Sequence, residues 1–273
     1  MTAIIEAVGL RKQFGAVTAA DDITISIARH TVVGLIGTNG AGKTTFINMI
    51  TGYLKPDSGH VLYDGRDITS LSPRQVTRTG ICRSFQIPQL FDSLSVRENL
   101  GIGLGIVLRN SRRSPIGPLP RHVPGFQGGI REAADQVLDQ FGLTPHRDKA
   151  ASTLPEGLRK LLDIAMAMVA QPKVLFLDEP TSGVSAEEKF QIMDRVMDAV
   201  RAQNVTVLFV EHDMDIIERY SERVLAFYAG RVLADGAAAD VLTDPEVLMR
   251  VIGTPPATPP EAEPDRMMRE THA

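Results

Sequence analysis

One stretch of eight residues constrains this chain more than any other. Gly37-Thr38-Asn39-Gly40-Ala41-Gly42-Lys43-Thr44 is a glycine, four spacer residues and then Gly-Lys-Thr. It follows Thr31-Val32-Val33-Gly34-Leu35-Ile36, a continuous apolar run of the kind that forms a strand covered on both faces, and it leads into a helical pattern over residues 45–51. Glycines at this spacing let the backbone curl so that successive amide N–H groups point inward, and a helix N-terminus behind them adds about half a positive charge. Such a turn is a cradle for phosphate oxygens. Lys43 supplies a compact cation for the outer phosphates. Thr44 supplies a hydroxyl suited to Mg²⁺, an oxygen-seeking ion that keeps several waters and binds through few protein groups.

A second element agrees with the first. Val174-Leu175-Phe176-Leu177-Asp178-Glu179-Pro180 is an apolar run ending in two carboxylates, which places both at the C-terminal edge of a parallel sheet, where ligands of α/β proteins bind. Asp178 would complete the Mg²⁺ shell. Glu179 is placed to orient or deprotonate the water that attacks a terminal phosphate, the one proton-handling part that phosphoryl transfer needs.

The rest of the pattern builds around these two. Apolar strands over residues 173–177 and 205–210 flank a helical repeat over 185–201, in which Phe190, Met193, Val196, Met197 and Val200 share a face. This strand-helix-strand unit implies a parallel sheet. Residues 4–28 read instead as antiparallel sheet, with Ile23, Ile25 and Ile27 alternating against Thr24 and Ser26. Residues 94–154 carry helical patches such as 132–141, interrupted over 109–129 by a Pro-, Gly- and Arg-rich stretch that predicts an irregular loop. From Thr254 the sequence turns to Thr-Pro-Pro-Ala-Thr-Pro-Pro, which predicts an extended, solvated tail.

Composition excludes several classes. With 29 basic and 33 acidic residues the net charge is −4, the wrong sign for a chain that coats a nucleic-acid backbone. The single cysteine, Cys82, can form neither an internal disulfide nor a Cys-based metal site; it reads as a thiol packed in a strand and suits a reducing compartment. No apolar run approaches the ~20 residues that span a bilayer, and Met1-Thr2-Ala3-Ile4-Ile5-Glu6 does not open a secretory signal. A cytosolic chain is expected, reaching a membrane by docking on a membrane protein. The histidines at 30, 60, 122, 146 and 272 lie at no metal-ligand spacing.

In this constellation, over residues 4–253, the chain resembles the ATPase subunit of ATP-binding cassette (ABC) transporters. The resemblance implies a P-loop NTPase core of α/β class with a mainly parallel sheet, an N-terminal antiparallel β subdomain and an inserted α-helical subdomain. The core would be discontinuous, 1–92 and 160–252, with the helical insertion at 93–159 and a Pro-rich tail at 253–273. It implies ATP and Mg²⁺ as ligands, with Gly37, Thr38, Asn39, Gly40, Ala41, Gly42, Lys43, Thr44 and Thr45 around the phosphates and Thr44, Asp178 and Gln86 around the metal. Phe14, in Lys12-Gln13-Phe14-Gly15, matches the aromatic residue that stacks on adenine. Gln86, in Arg83-Ser84-Phe85-Gln86-Ile87-Pro88, matches the glutamine that touches the metal and the attacking water; His212, in Glu211-His212-Asp213-Met214, matches the histidine that contacts the γ-phosphate. Glu179, His212 and Gln86 would then be the catalytic set.

One segment departs from the family pattern. Where most members read Leu-Ser-Gly-Gly-Gln, this chain reads Leu154-Pro155-Glu156-Gly157-Leu158. In the family this segment begins a helix that faces the nucleotide of a second cassette. Pro155 offers neither hydroxyl nor N–H, and Glu156 brings negative charge toward a phosphate; the Gly157 amide and the helix dipole remain. Leu158, Leu161, Leu162, Ala165, Met168 and Val169 give that helix an apolar face. Ser185 stands where many members carry an aspartate. These changes bear on hydrolysis more than on nucleotide binding.

Within the family the likeness is to the branched-chain amino acid importers, on the Phe85-Gln86-Ile87-Pro88-Gln89-Leu90-Phe91 stretch, the Arg/Pro-rich insertion after Leu108, and Glu211-His212-Asp213-Met214-Asp215 with the ending that follows. The partners implied are a second cassette, in a homodimer or a heterodimer, integral membrane permease subunits and, indirectly, a periplasmic solute-binding protein. The location implied is the cytoplasmic face of the inner membrane, with no nucleic acid involved. A lipid-exporting cassette and a nucleotide-binding regulatory module of low turnover are the alternatives.

Overall fold

The structure is a computed structural model that describes residues 2–84, 86–111 and 122–253. The chain begins with two long antiparallel strands, β1 (Ala3–Phe14) and β2 (Val17–Ala28), followed by β3 (Val32–Gly37) and helix α1 (Lys43–Ile50). Next come β4 (Ser58–Tyr63), β5 (Arg66–Asp67), α2 (Pro73–Thr79) and β6 (Ile81–Arg83). Helices α3 (Val96–Asn110), α4 (Ile130–Gln140) and α5 (Glu156–Met168) occupy the middle. The rest alternates: β7 (Val174–Asp178), α6 (Ala186–Ala202), β8 (Thr206–Val210), α7 (Met214–Tyr220), β9 (Arg223–Tyr228), β10 (Arg231–Ala237) and α8 (Ala238–Thr243).

These strands form two sheets. The larger has the order β10-β9-β3-β8-β7-β6, parallel except for β10 at its edge. The smaller, β2-β1-β4-β5, is antiparallel throughout. Side chains alternate along a strand, so each parallel strand divides its apolar residues between two cores. Leu35, Phe176, Leu208 and Phe227 point toward α1 and the antiparallel sheet, whereas Ile36, Leu175, Phe209 and Ala226 point toward the core shared with α3 to α7. That two-sided burial explains why these strands are unbroken apolar runs. Phe46 and Phe227, both fully buried with ring centroids 5.4 Å apart, fasten α1 onto the sheet. Each such ring contributes about 1.5–3 kcal/mol, so the N-terminus of α1 is held firmly at the C-terminal sheet edge.

Several boundaries differ from expectation. Helix α1 starts at Lys43 rather than Thr45, because Gly42 takes the cap position with φ 106° and the helical turn begins at once after it. Helix α4 starts at Ile130, where the Glu132 carboxylate accepts the Gly129 N–H at 3.0 Å. Helix α3 runs on to Asn110, into the stretch read as irregular; residues 112–121 of that stretch and the tail from Thr254 lie outside the described residues. Cys82 is buried in β6, and burial pushes its thiol up to about 11. No helix among the described residues is long and apolar enough to cross a membrane.

Candidate active site

Strands β3, β8, β7 and β6 are neighbours, so the segments leaving their C-terminal ends lie side by side at one sheet edge. Gly37 closes β3, Asp178 closes β7, Glu211 follows β8 and Arg83 closes β6. The chain thus gathers four sequence-distant motifs by topology alone.

The loop after β3 is shaped by its last glycine. A Cβ on Gly42 would stand 2.5 Å from the Ala19 carbonyl oxygen, and the positive φ of Gly42 is itself a conformation that side chains disfavour. Lys43, 7% exposed, folds back so that its ammonium donates to the Gly37 carbonyl at 2.6 Å and to the Thr38 carbonyl at 3.1 Å. Burial lowers its pKa, while Glu179 and Asp178 oppose that shift. The lysine therefore caps the inside of its own loop here, with two carboxylates close by, and Thr44 is exposed at the first turn of α1.

Glu179 is the point on which the proposed catalytic side chains converge. The Gln86 side-chain amide donates to Glu179 Oε2 at 2.9 Å, and His212 Nε2 lies 3.2 Å from Glu179 Oε1. The Glu179 backbone sits at φ 49°, held by its N–H donating to the Val210 carbonyl at 3.0 Å. A left-handed non-glycine residue costs of order 1 kcal/mol, and here it turns the chain sharply at the end of β7.

Four more polar residues serve this edge, and nothing in the local sequence marked them. Arg83 forms a half-buried ion pair with Asp178 Oδ2 at 2.6 Å and donates its other arm to Asn48 Oδ1 at 2.6 Å. Lys160, buried in α5, donates to the Glu179 carbonyl at 2.8 Å; burial lowers its pKa against the pull of Glu211, Glu156, Glu179 and Asp178. Asp163, also buried in α5, accepts the Gln89 N–H at 2.9 Å, which ties the segment after Gln86 to that helix. Glu211 accepts from the Thr181 N–H at 2.8 Å and its hydroxyl at 2.7 Å, and burial pushes its pKa up against those bonds.

Two candidates stand further out. Phe14 ends β1, 51% exposed, with the Lys12 ammonium 5.7 Å from its ring centroid. Its strand partner is Val17, two residues from Ala19, so the aromatic ring belongs to the hairpin that abuts Gly42. Gly157 is buried in the first turn of α5, where a Cβ would meet Ile192 Cδ1 at 2.8 Å. Within this chain its neighbours are Ile192 on α6 and Val184 just before that helix, not residues 37–45.

Among the described residues no group of three or more His, Cys, Asp or Glu side chains could hold a metal ion. The oxygens at hand, the Thr44 hydroxyl, the Asp178 carboxylate and the Gln86 amide, are few and hard. That set fits an ion that brings its own waters and phosphates, as Mg²⁺ does, and not an all-protein cage.

A parallel sheet with a glycine-rich phosphate loop, a strand-end carboxylate pair and a glutamine and histidine turned onto the second carboxylate defines a P-loop ATPase. The profile of the ABC transporter family matches residues 20–182, and the chain belongs to that family as an ATP-binding, ATP-hydrolysing subunit. It is 33% identical over 248 residues to the high-affinity branched-chain amino acid transport ATP-binding protein LivG of Salmonella typhimurium, covering 90% of this chain and 96% of that protein. Among solved structures it superposes on MJ1267, an ATP-binding cassette of an ABC transporter, with a TM-score of 0.78 and 32% identity over 91% of this chain and 98% of that one. The ADP conformation of MJ1267 gives a TM-score of 0.76 with 31% identity, over 91% of this chain and 98% of that one.

Proposed function

We propose that this chain powers an importer for branched-chain amino acids or related small polar solutes, working at the cytoplasmic face of the membrane on permease subunits fed by a periplasmic binding protein. The cargo class is supported by the names of its relatives, at about a third identity over nearly the full length. The division of labour follows the geometry. Residues 37–45 wrap the phosphates, Lys43 exchanging its two loop carbonyls for phosphate oxygens, and Phe14 stacks on the base. Thr44, Asp178 and Gln86 would hold Mg²⁺, which would supply positive charge beside the phosphate oxygens. Glu179 takes a proton from the attacking water, with Gln86 and His212 fixing its two carboxylate oxygens.

The observation that carries this reading is the convergence of Gln86 and His212 on Glu179 from two different strand ends. A base positioned from both sides meets the geometric demand of general base catalysis.

A second cassette completes the site: its signature helix faces the phosphates held by this chain, and the α5 N-terminus and Gly157 amide of this chain face those held by the partner. The altered Leu154-Pro155-Glu156-Gly157-Leu158 segment favours a heterodimer, in which the partner supplies a signature bearing a hydroxyl. Residues 93–159 serve as the helical insertion between the two parts of the core, 1–92 and 160–252. The groove between α2, β6, α3 and α5, about 910 Å³ and lined by Tyr53, Arg78, Ile106 and Met166, is the face offered to the permease.

The test is transport in proteoliposomes holding the complex that co-purifies with this chain. Leucine uptake driven by ATP, abolished by Glu179→Gln in this subunit, is the expected result. A complex that turns over ATP but exports lipid, or that carries none of the branched-chain amino acids, would replace the cargo assignment.

A further inference from the structure

The division of labour above gives no role to Arg83, a largely buried cation at the sheet edge that carries Asp178. Arg83 is the last residue of β6, its side chain 9% exposed, and its guanidinium sends two arms to two different elements. One arm reaches Asp178 Oδ2 at the end of β7, and the other reaches Asn48 Oδ1 on α1. We propose that Arg83 is a positioning residue: anchored by Asn48, it sets the Asp178 carboxylate in place for the divalent cation that accompanies the nucleotide.

Three observations support this assignment. First, Asn48 lies four residues after Thr44, one helical turn along the same face of α1. The guanidinium therefore links the helix that carries one metal-donor oxygen to the strand that carries another, and so sets the spacing between Thr44 and Asp178. Secondly, among the described residues Arg83 is the only ion-pair partner of Asp178; the two neighbouring lysines are engaged on backbone carbonyls, Lys43 on Gly37 and Thr38 and Lys160 on Glu179. The arginine occupies Oδ2 and leaves Oδ1 to the metal. Thirdly, the base of Arg83 is itself fixed, because the next residue, Ser84, donates its N–H to the Phe176 carbonyl at 2.9 Å, two residues before Asp178. A planar fork mounted this close to its target has little freedom to wander. A lysine at the same place keeps the charge but, as a single ammonium on a flexible stem, holds neither the angle nor both partners.

The inference rests on residues 37–45 and Asp178 forming a metal–nucleotide site, so the test measures the metal and the nucleotide separately. Mn²⁺ serves as the probe, its free-ion electron paramagnetic resonance signal reporting binding to the full chain held in excess over ADP. ADP affinity in the presence of a chelator is measured alongside. Asn48→Ala loosens the anchor without touching a charge, and Arg83→Lys keeps the charge without the fork. Expected are chelator-phase ADP affinities within about twofold of the unaltered chain, with Mn²⁺ bound roughly tenfold more weakly by Arg83→Lys and about threefold more weakly by Asn48→Ala. Unchanged or tighter Mn²⁺ binding in Asn48→Ala would overturn the proposal, as would a loss of ADP affinity in chelator matching the loss of Mn²⁺. If Arg83→Lys fails to fold, Asn48→Ala decides alone. An unaltered chain that binds no ADP would instead overturn the nucleotide site itself, and this inference with it.

Discussion

Two buried lysines lie within the electrostatic reach of Glu179, and they teach different things. Lys43 opens α1 and bonds the carbonyls of the loop before it; Lys160 lies in α5 and bonds the carbonyl of Glu179. Burial depresses both, and Glu179 and Asp178 pull both back. The first belongs to a local motif in which eight consecutive residues determine the geometry. The second acquires its place only when a helix from the middle of the chain crosses the end of β7. One region is the proposed ligand cradle, in which the backbone shape of the loop would do the binding. The other is a support, in which Lys160 holds the end of β7 through the Glu179 carbonyl.

Substitutions separate cradle from support. The largest effect is expected where the two regions meet. Glu179→Gln should leave nucleotide binding intact and lower turnover of the assembled complex by about 10³-fold, read by phosphate release. Next is Lys43→Ala, which should weaken ATP binding by about 100-fold in calorimetric titration, because the outer phosphates lose their closest cation. Lys160→Met keeps the length of the side chain and removes its bond to the Glu179 carbonyl. Turnover should fall by about tenfold with ATP affinity within about twofold, and an equal loss in both would make Lys160 part of the cradle after all. The smallest effect is expected at Gly157→Ala. The added methyl meets the movable tip of Ile192, and helix propensity offsets the crowding, so thermal unfolding should report a change of no more than about 1 kcal/mol.

The same contrast explains what could be read from the residues alone. The strands over 31–36 and 173–178, the loop at 37–44 and the carboxylate pair at 178–179 were all legible, because period, glycine spacing and order along the chain encode them locally. The antiparallel hairpin of β1 and β2 was legible for the same reason. Arg83 and Lys160 were not, since each acts on a residue 95 or 19 positions away and nothing in the intervening sequence marks the encounter. Helix α1 starts two residues before the pattern over 45–51 predicts, because Gly42 turns the chain ahead of Lys43 and Thr44. Gly157 shows the converse. The motif assigns it to a nucleotide across an interface, while within the chain an added methyl would meet only the movable tip of Ile192.

Hydrogen–deuterium exchange on the full chain, with and without Mg-ATP, tests most directly whether the cradle and the carboxylates form one site. Slower exchange on adding nucleotide is expected over residues 37–45, with further slowing over 175–180 only when Mg²⁺ is present. Protection that spares 37–45, or that reaches 175–180 equally in chelator, would contradict a triphosphate held at the first place and a metal shared with the second.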